Sequence, residues 1–152
     1  MNKKLLLISF LCITEITLSA QQNIADLNVK LRTAAFSGNK NKVQDLLQNG
    51  ADVNAQNSYG MTALIFAAVK GHDGCVQLLL DTPCINVNAQ NTYGQTALIC
   101  AATHGMEPCV QLLLDHKASI EIQDNENQSA YNWAITRRHQ AIANMLKKPD
   151  QK

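Results

Sequence analysis

The chain has 152 residues, a formal net charge of +1, 46% hydrophobic residues and 5% aromatic ones. That is enough chain for one domain, with a core built from small aliphatic side chains. The near-balanced charge provides no basic field for nucleic acid and no acidic tail for sequestering cations.

The first twenty residues differ in composition from the rest. Met1-Asn2-Lys3-Lys4 is a short cationic start, and Leu5 to Leu18 is an apolar run broken by Glu15. Leu18-Ser19-Ala20 ends in small residues and polar Gln21-Gln22 follows. This is the three-part layout of a secretory signal peptide, and the run is too short to span a bilayer comfortably. Residues 1–20 are therefore expected to be a signal peptide and the chain to be exported, periplasmic or secreted. The alternative is an N-terminal amphipathic or core helix, to which Glu15 lends weight. Leu11 before Cys12 speaks against a lipoprotein anchor. Cleavage after Ala20 would remove Lys3, Lys4 and Glu15, taking the 13 basic and 12 acidic residues to 11 of each. No later segment is apolar for long enough to cross a membrane, so no stable insertion is expected after cleavage.

From residue 21 the chain repeats itself. Asn54 to Asp81 recurs 34 positions later as Asn88 to Asp115. Tyr59-Gly60 returns as Tyr93-Gly94, Ala67-Ala68 as Ala101-Ala102, and Leu78-Leu79-Leu80 as Leu112-Leu113-Leu114. A shift of 33 back places Leu31, Ala34, Ala35 and Gly38 under Leu64, Ala67, Ala68 and Gly71. A shift of 33 forward gives a weaker copy, with Ser129, Ala130 and Ala134 under Thr96, Ala97 and Ala101. The domain 21–152 thus holds about four units, at 24–56, 57–90, 91–123 and 124–148. A period this long means stacked supersecondary units, with divergent terminal copies acting as caps.

Each unit reads as two short helices. Ala63-Leu64 and Ala67-Ala68 fall on one face of the first, Thr62 is placed to cap its start, and Gly71 to end it. Cys75-Val76 and Leu78-Leu79-Leu80 give the second helix an apolar face. Asn49-Gly50 marks a turn, and the polar stretch up to Tyr59-Gly60 reads as a turn or small hairpin. The paired alanines allow two helices to approach closely.

The run Gly60-Met61-Thr62-Ala63-Leu64-Ile65-Phe66-Ala67-Ala68-Val69-Lys70-Gly71-His72 closely resembles the ankyrin repeat, G-x-T-P-L-H-x-A-A-x-x-G-H. Val76 to Leu80 matches that family's second helix, and Gly50-Ala51-Asp52-Val53-Asn54 its closing turn. The resemblance covers about Ile24 to Lys147. It implies an all-α ankyrin-repeat solenoid with short hairpin fingers, a role in protein binding, and no cofactor. Ala63 and Ala97 replace the family's Pro, and Ile65 and Ile99 its His, so less rigid fingers are expected. Lys117 stands where a glycine is usual, and the turn Thr82-Pro83-Cys84-Ile85 is one residue longer. Arg138 replaces a glycine and Trp133 replaces Cys100, so the last unit reads as a cap with Trp133 covering the core.

In this family, partners usually meet the finger tips and the exposed ends of the first helices. Carried over, the fingers offer Gln56, Asn57, Ser58, Tyr59 and Met61, then Gln90, Asn91, Thr92, Tyr93 and Gln95. The helix ends offer Phe36, Val69, Lys70, Thr103, His104 and Arg137. The chosen partner-binding set is Tyr59, Met61, Val69, Lys70, Tyr93, Gln95, Thr103 and His104. Either tyrosine could anchor a partner or pack on its own hairpin. Phe36 and Val69 are expected to form a small exposed apolar patch, or to cover a helix end.

Cys75, Cys84, Cys100 and Cys109 remain after cleavage, an even number in an exported chain. Cys75 and Cys109 sit in adjacent units about 10 Å apart, beyond the roughly 7 Å that a disulfide spans. They read as buried hydrophobes, whereas Cys84 lies in the irregular turn and could bridge to Cys100 or Cys109. His72 with Cys75 and His104 with Cys109 do not complete a metal shell. No nucleophile motif, phosphate loop or paired carboxylates indicate catalysis. The expected function is that of an exported monomeric protein binding another protein, with no catalytic residues, metal or cofactor. Alternatives are a secreted effector that engages a host protein, a periplasmic protein protecting an exported redox enzyme, and a thiol-based redox or metal protein. The alanine-for-proline units and the lysine-led leader point to a bacterial source.

Overall fold

The computed structural model describes residues 3–147, with side chains from Ala20 onward. Met1 and Asn2 of the expected leader and Lys148 of the fourth unit lie outside the described residues, as do residues 149–152.

Eight helices occupy the described residues: α1 (Lys3–Phe36), α2 (Lys40–Gln48), α3 (Ala63–Lys70), α4 (Asp73–Leu80), α5 (Ala97–His104), α6 (Glu107–Asp115), α7 (Ala130–Thr136) and α8 (Gln140–Leu146). The odd-numbered helices touch one another in order and form an inner layer, and the even-numbered helices form an outer one. Each inner helix packs on the outer helix that follows it through a short turn, the arrangement that makes neighbours antiparallel. The first helix continues through Ala20 and Gln21, across the expected cleavage point, without a break. No helix among the described residues is long and apolar enough to cross a membrane.

Inner helices α3, α5 and α7 start on hydroxyl caps. Thr62 accepts from the Ile65 amide at 3.2 Å, Thr96 from Ile99 at 3.3 Å, and Ser129 from Asn132 at 3.2 Å. These bonds satisfy amides that a helix leaves without partners at its first turn. Ala67, Ala68, Ala101, Ala102 and Ala134 are fully buried where the inner helices meet, and Val76, Leu79, Val110 and Leu113 fill the space towards the outer layer. The alanine pairs that the sequence singled out are thus buried in the core.

Two turn positions bear on where the stack ends. A Cβ on Gly94 would come within 2.9 Å of the Asn125 amide in the next finger, and one on Gly105 within 2.8 Å of the His139 ring. The equivalent residues one unit on are Asn127 and Arg138, at φ 58° and 63°. Among the described residues no further unit stacks on them, so the side chains have room. The backbone there remains left-handed, the conformation in which glycine is least costly.

The outer-helix turns show the same geometry. Gly50 takes φ 87°, Lys117 φ 61° and Cys84 φ 63°. Strain at Lys117 was legible from the sequence. The extra residue in the second turn moves the left-handed position onto Cys84, which the sequence did not signal. Lys117→Gly removes a Cβ penalty from an exposed site while adding backbone entropy to the unfolded chain. It should raise stability by about 0.5–1 kcal/mol, read as a higher urea midpoint with an unchanged slope.

Candidate functional site

The fingers follow α2, α4 and α6 and precede the inner helices. Each is folded around one side chain that accepts two backbone amides. Asn57 Oδ1 accepts from Tyr59 at 2.9 Å and Met61 at 3.0 Å. Asn91 Oδ1 accepts from Tyr93 and Gln95, both at 2.9 Å. Asp124 Oδ1 accepts from Glu126 and Gln128, both at 3.0 Å. These are Asx turns. Each reversal is closed by a backbone bond, from Asn57 N to Met61 O at 3.2 Å, Asn91 N to Gln95 O at 3.0 Å and Asp124 N to Gln128 O at 3.0 Å. They are the short turns that the sequence allowed, and among the described residues the only β pairing is an isolated bridge between Gln123 and Ser129.

The fingers are also tied to each other. Gln56 Nε2 donates to Gly60 O and to Gln90 O, both at 3.0 Å, and Gln90 Nε2 donates to Gly94 O at 2.6 Å. The Thr92 amide donates to Tyr59 O, and the Asn125 amide to Tyr93 O, both at 3.0 Å. The bracing that the missing histidines would have given comes from the asparagine and glutamine side chains. The side-chain oxygens of Asn57 and Asn91 and the amide nitrogens of Gln56 and Gln90 are therefore committed to the fingers themselves.

The third finger is anchored to the last inner helix. Trp133 donates its indole N–H to Asp124 Oδ2 at 2.7 Å, and Arg137 lies over the Trp133 ring at 5.5 Å. Trp133 packs on the core as the sequence indicated, and it also fixes this finger. Burial pushes the Asp124 carboxyl up, but hydrogen bonds from the Gln128 amide, the indole, the Glu126 amide and Gln95 outweigh it. The group is held below the usual carboxylate value.

The chosen partner-binding residues separate into two groups. Tyr59 and Tyr93 are each 63% exposed, and neither phenol makes a hydrogen bond among the described residues. Lys70 and His104 are exposed at the ends of α3 and α5. Met61, Val69, Gln95 and Thr103 are half-buried. Met61 and Val69 pack against the core, and Thr103 donates its hydroxyl to Ile99 O at 2.7 Å. Gln95 Oε1 lies 3.5 Å from Asn91 Nδ2.

The apolar patch is also corrected. Phe36 meets Phe66 edge-on at 5.8 Å, with Lys70 Nζ 4.5 Å from the Phe36 ring centre. Val69 is turned towards the core instead. Val29, Arg32, Thr33, Phe36, Asn57 and Phe66 line a groove of about 370 Å³ between the first finger and the inner layer. Phe66 escaped the sequence reading because it sits within a stripe of core residues, and the matching position one unit on is Cys100. A larger hollow of about 420 Å³ opens at the far end of the stack, bounded by Ile120, Tyr131 and Leu146. It holds none of the predicted residues.

The four cysteines whose side chains are described, Cys75, Cys84, Cys100 and Cys109, are free thiols. Burial pushes Cys100 up to about 12 and Cys109 up to about 11, and it raises Cys75 as well. Such thiols are poor nucleophiles and poor metal ligands at neutral pH. Cys84 is exposed, and its carbonyl accepts from Asn54 Nδ2 at 2.8 Å. No group of three His, Cys, Asp or Glu residues among the described residues is placed to hold a metal ion.

The family model for ankyrin repeats, in three copies, matches residues 31–124 and 83–152. The chain belongs to the ankyrin-repeat family. A 50-residue stretch is 48% identical to the mitochondrial disaggregase of Bos taurus, covering 33% of this chain and 7% of that protein. A 63-residue stretch is 44% identical to the E3 ubiquitin-protein ligase XBAT33 of Arabidopsis thaliana, covering 41% of this chain and 12% of that protein. The chain thus spans a small fraction of the curated relatives it matches, and their activities do not transfer with the ankyrin repeats. These relatives are eukaryotic, and the bacterial source expected above draws no support from them.

The Asp124 anchor makes a pH-dependent prediction. A carboxyl held below its unfolded value near 3.8 contributes stability that is fully present above that value. The contribution is lost as pH falls through the lower folded value. Asp124→Ala leaves the indole and two amides without their acceptor and should cost about 2–3 kcal/mol at neutral pH. Asp124→Asn retains the turn, should cost less, and should flatten the acid limb of a stability–pH curve measured by urea unfolding.

Proposed function

We propose that this ankyrin-repeat chain is a non-enzymatic binding module that engages a partner protein through the groove between its fingers and its inner helices. The observation that carries this reading is the pair Tyr59 and Tyr93. Two large amphipathic side chains project into water from fingers whose backbones are already fixed by hydrogen bonds. A pre-ordered finger loses little backbone entropy when a partner closes on it, and tyrosine brings large contact area with few rotatable bonds. The Phe36–Phe66 pair adds apolar surface in the groove beside the first finger.

Export is part of the proposal and is supported by the layout of residues 1–20 alone. On that reading the partner is met in the periplasm or outside the cell.

Two measurements check these statements. Tyr59→Ala and Tyr93→Ala should each weaken binding of a captured partner by roughly 30-fold or more, the loss expected of a central anchor, with helical circular dichroism unchanged. A partner bound equally by the variants and the native chain would remove the tyrosines from the interface. N-terminal sequencing of the protein recovered from its producing cell should begin at Gln21. A start at Met1 would refute the leader.

A further inference from the structure

Two cations stand at matching places on the inner layer without a carboxylate partner. Lys70 closes α3 with its ammonium over the Phe36 ring, and Arg137 caps α7 with its guanidinium over the Trp133 ring. His104 occupies the equivalent place at the end of α5, between them. Among the described residues the only ion pairs join Lys30 to Asp26 and His116 to Asp81. Helices α3, α5 and α7 contain no Asp or Glu. On the outer helices and their ends sit Asp73, Asp81, Glu107 and Asp115, and Glu121, Asp124 and Glu126 lie in the segment that leads into α7. A cation lying on an aromatic face is partly desolvated without being neutralised. An incoming carboxylate therefore displaces less water than it would around a fully hydrated ammonium.

The fingers are different. Tyr59 and Tyr93 lead the first two, and the matching residue of the third is Glu126, exposed and unpaired among the described residues. The helix ends are thus basic, and the finger tips are aromatic and then acidic. We infer that the groove takes an extended acidic segment of a partner protein, with carboxylates towards Lys70, His104 and Arg137 and apolar side chains towards Tyr59 and Tyr93. This rests on the groove reading above and names its ligand chemistry. Glu126 sets the orientation, because a carboxylate on the finger side would meet like charge.

Spacing narrows the class further. Packed helices lie about 8–10 Å apart. A polyproline II segment returns to one face every three residues, about 9 Å along its axis. Acidic residues at every third position therefore keep step with the units, and Lys70 and Arg137, two units apart, match carboxylates about six residues apart.

The test pans a display library of random nonapeptides against the full chain. Two double variants are run beside it, Lys70→Gln with Arg137→Gln and Tyr59→Ala with Tyr93→Ala, each checked for native helicity. The expected peptides carry Asp or Glu at three-residue intervals with aromatic or aliphatic residues between them. Their affinity should fall about fivefold for each cation removed, the upper range for an exposed ion pair, and should weaken with added salt. Selected peptides without acidic enrichment that still depend on the two tyrosines would overturn the acidic segment and leave the groove reading standing. Acid-rich peptides indifferent to the two cations would overturn it as well. If no peptide is enriched, or if all bind both variants as they bind the native chain, the groove reading fails with it.

Discussion

No single unit of this chain can bury its own apolar surface, and every other feature depends on that constraint. An inner helix of eight residues is too short to persist alone in water. It becomes stable only when alanines on its two sides meet the helices before and after it. Ala34-Ala35, Ala67-Ala68 and Ala101-Ala102 repeat this contact along the inner layer, and each is at most 6% exposed. A larger side chain at these sites would push adjacent units apart and break the register of everything built on them.

The fingers inherit that register. Their cross-bonds run from each unit to the next, so the conformation of one finger is completed by its neighbour. The Asn125 amide reaches Tyr93 O, and Asn125 Nδ2 donates to Thr92 O at 3.0 Å. A second set of links joins the inner-helix ends. His72 donates to Phe36 O at 3.1 Å and His139 to Thr103 O at 3.3 Å. Met106 stands at the equivalent place between them and has no proton to donate. It fills the space beside Gly71 with its thioether, so packing replaces a hydrogen bond at the middle of the stack.

These fixed surroundings give the groove its properties. The tyrosines are exposed because the backbone beneath them is already satisfied. Lys70 and Arg137 retain unpaired charge because α3, α5 and α7 carry no carboxylates and aromatic rings occupy their near sides. The buried thiols lie in the core, Cys100 on α5 and Cys75 and Cys109 on the outer helices, where desolvation suppresses their ionisation. One repeat thus separates an inert, close-packed interior from a wall of exposed aromatic and cationic side chains.

The repeat period, the two helices per unit, the threonine caps, the buried alanine pairs and the strain at Lys117 were all legible in the sequence. Each follows from local rules: helical periodicity, hydroxyl caps at helix starts, and the cost of a Cβ in a left-handed turn. The exposed places of Tyr59, Tyr93, Lys70 and His104 also followed from their positions in the unit. What the sequence left open depends on groups brought together from different units. The pairing of Phe36 with Phe66, the clasp of Trp133 on Asp124, and the use of Gln56 and Gln90 as cross-braces join residues 9 to 34 positions apart. The left-handed backbone of Cys84 was missed because an inserted residue shifted the phase of the turn. Periodicity specifies which face a side chain occupies. Only the stacked structure decides whether a polar group on that face is free for a partner or already satisfied by the next unit.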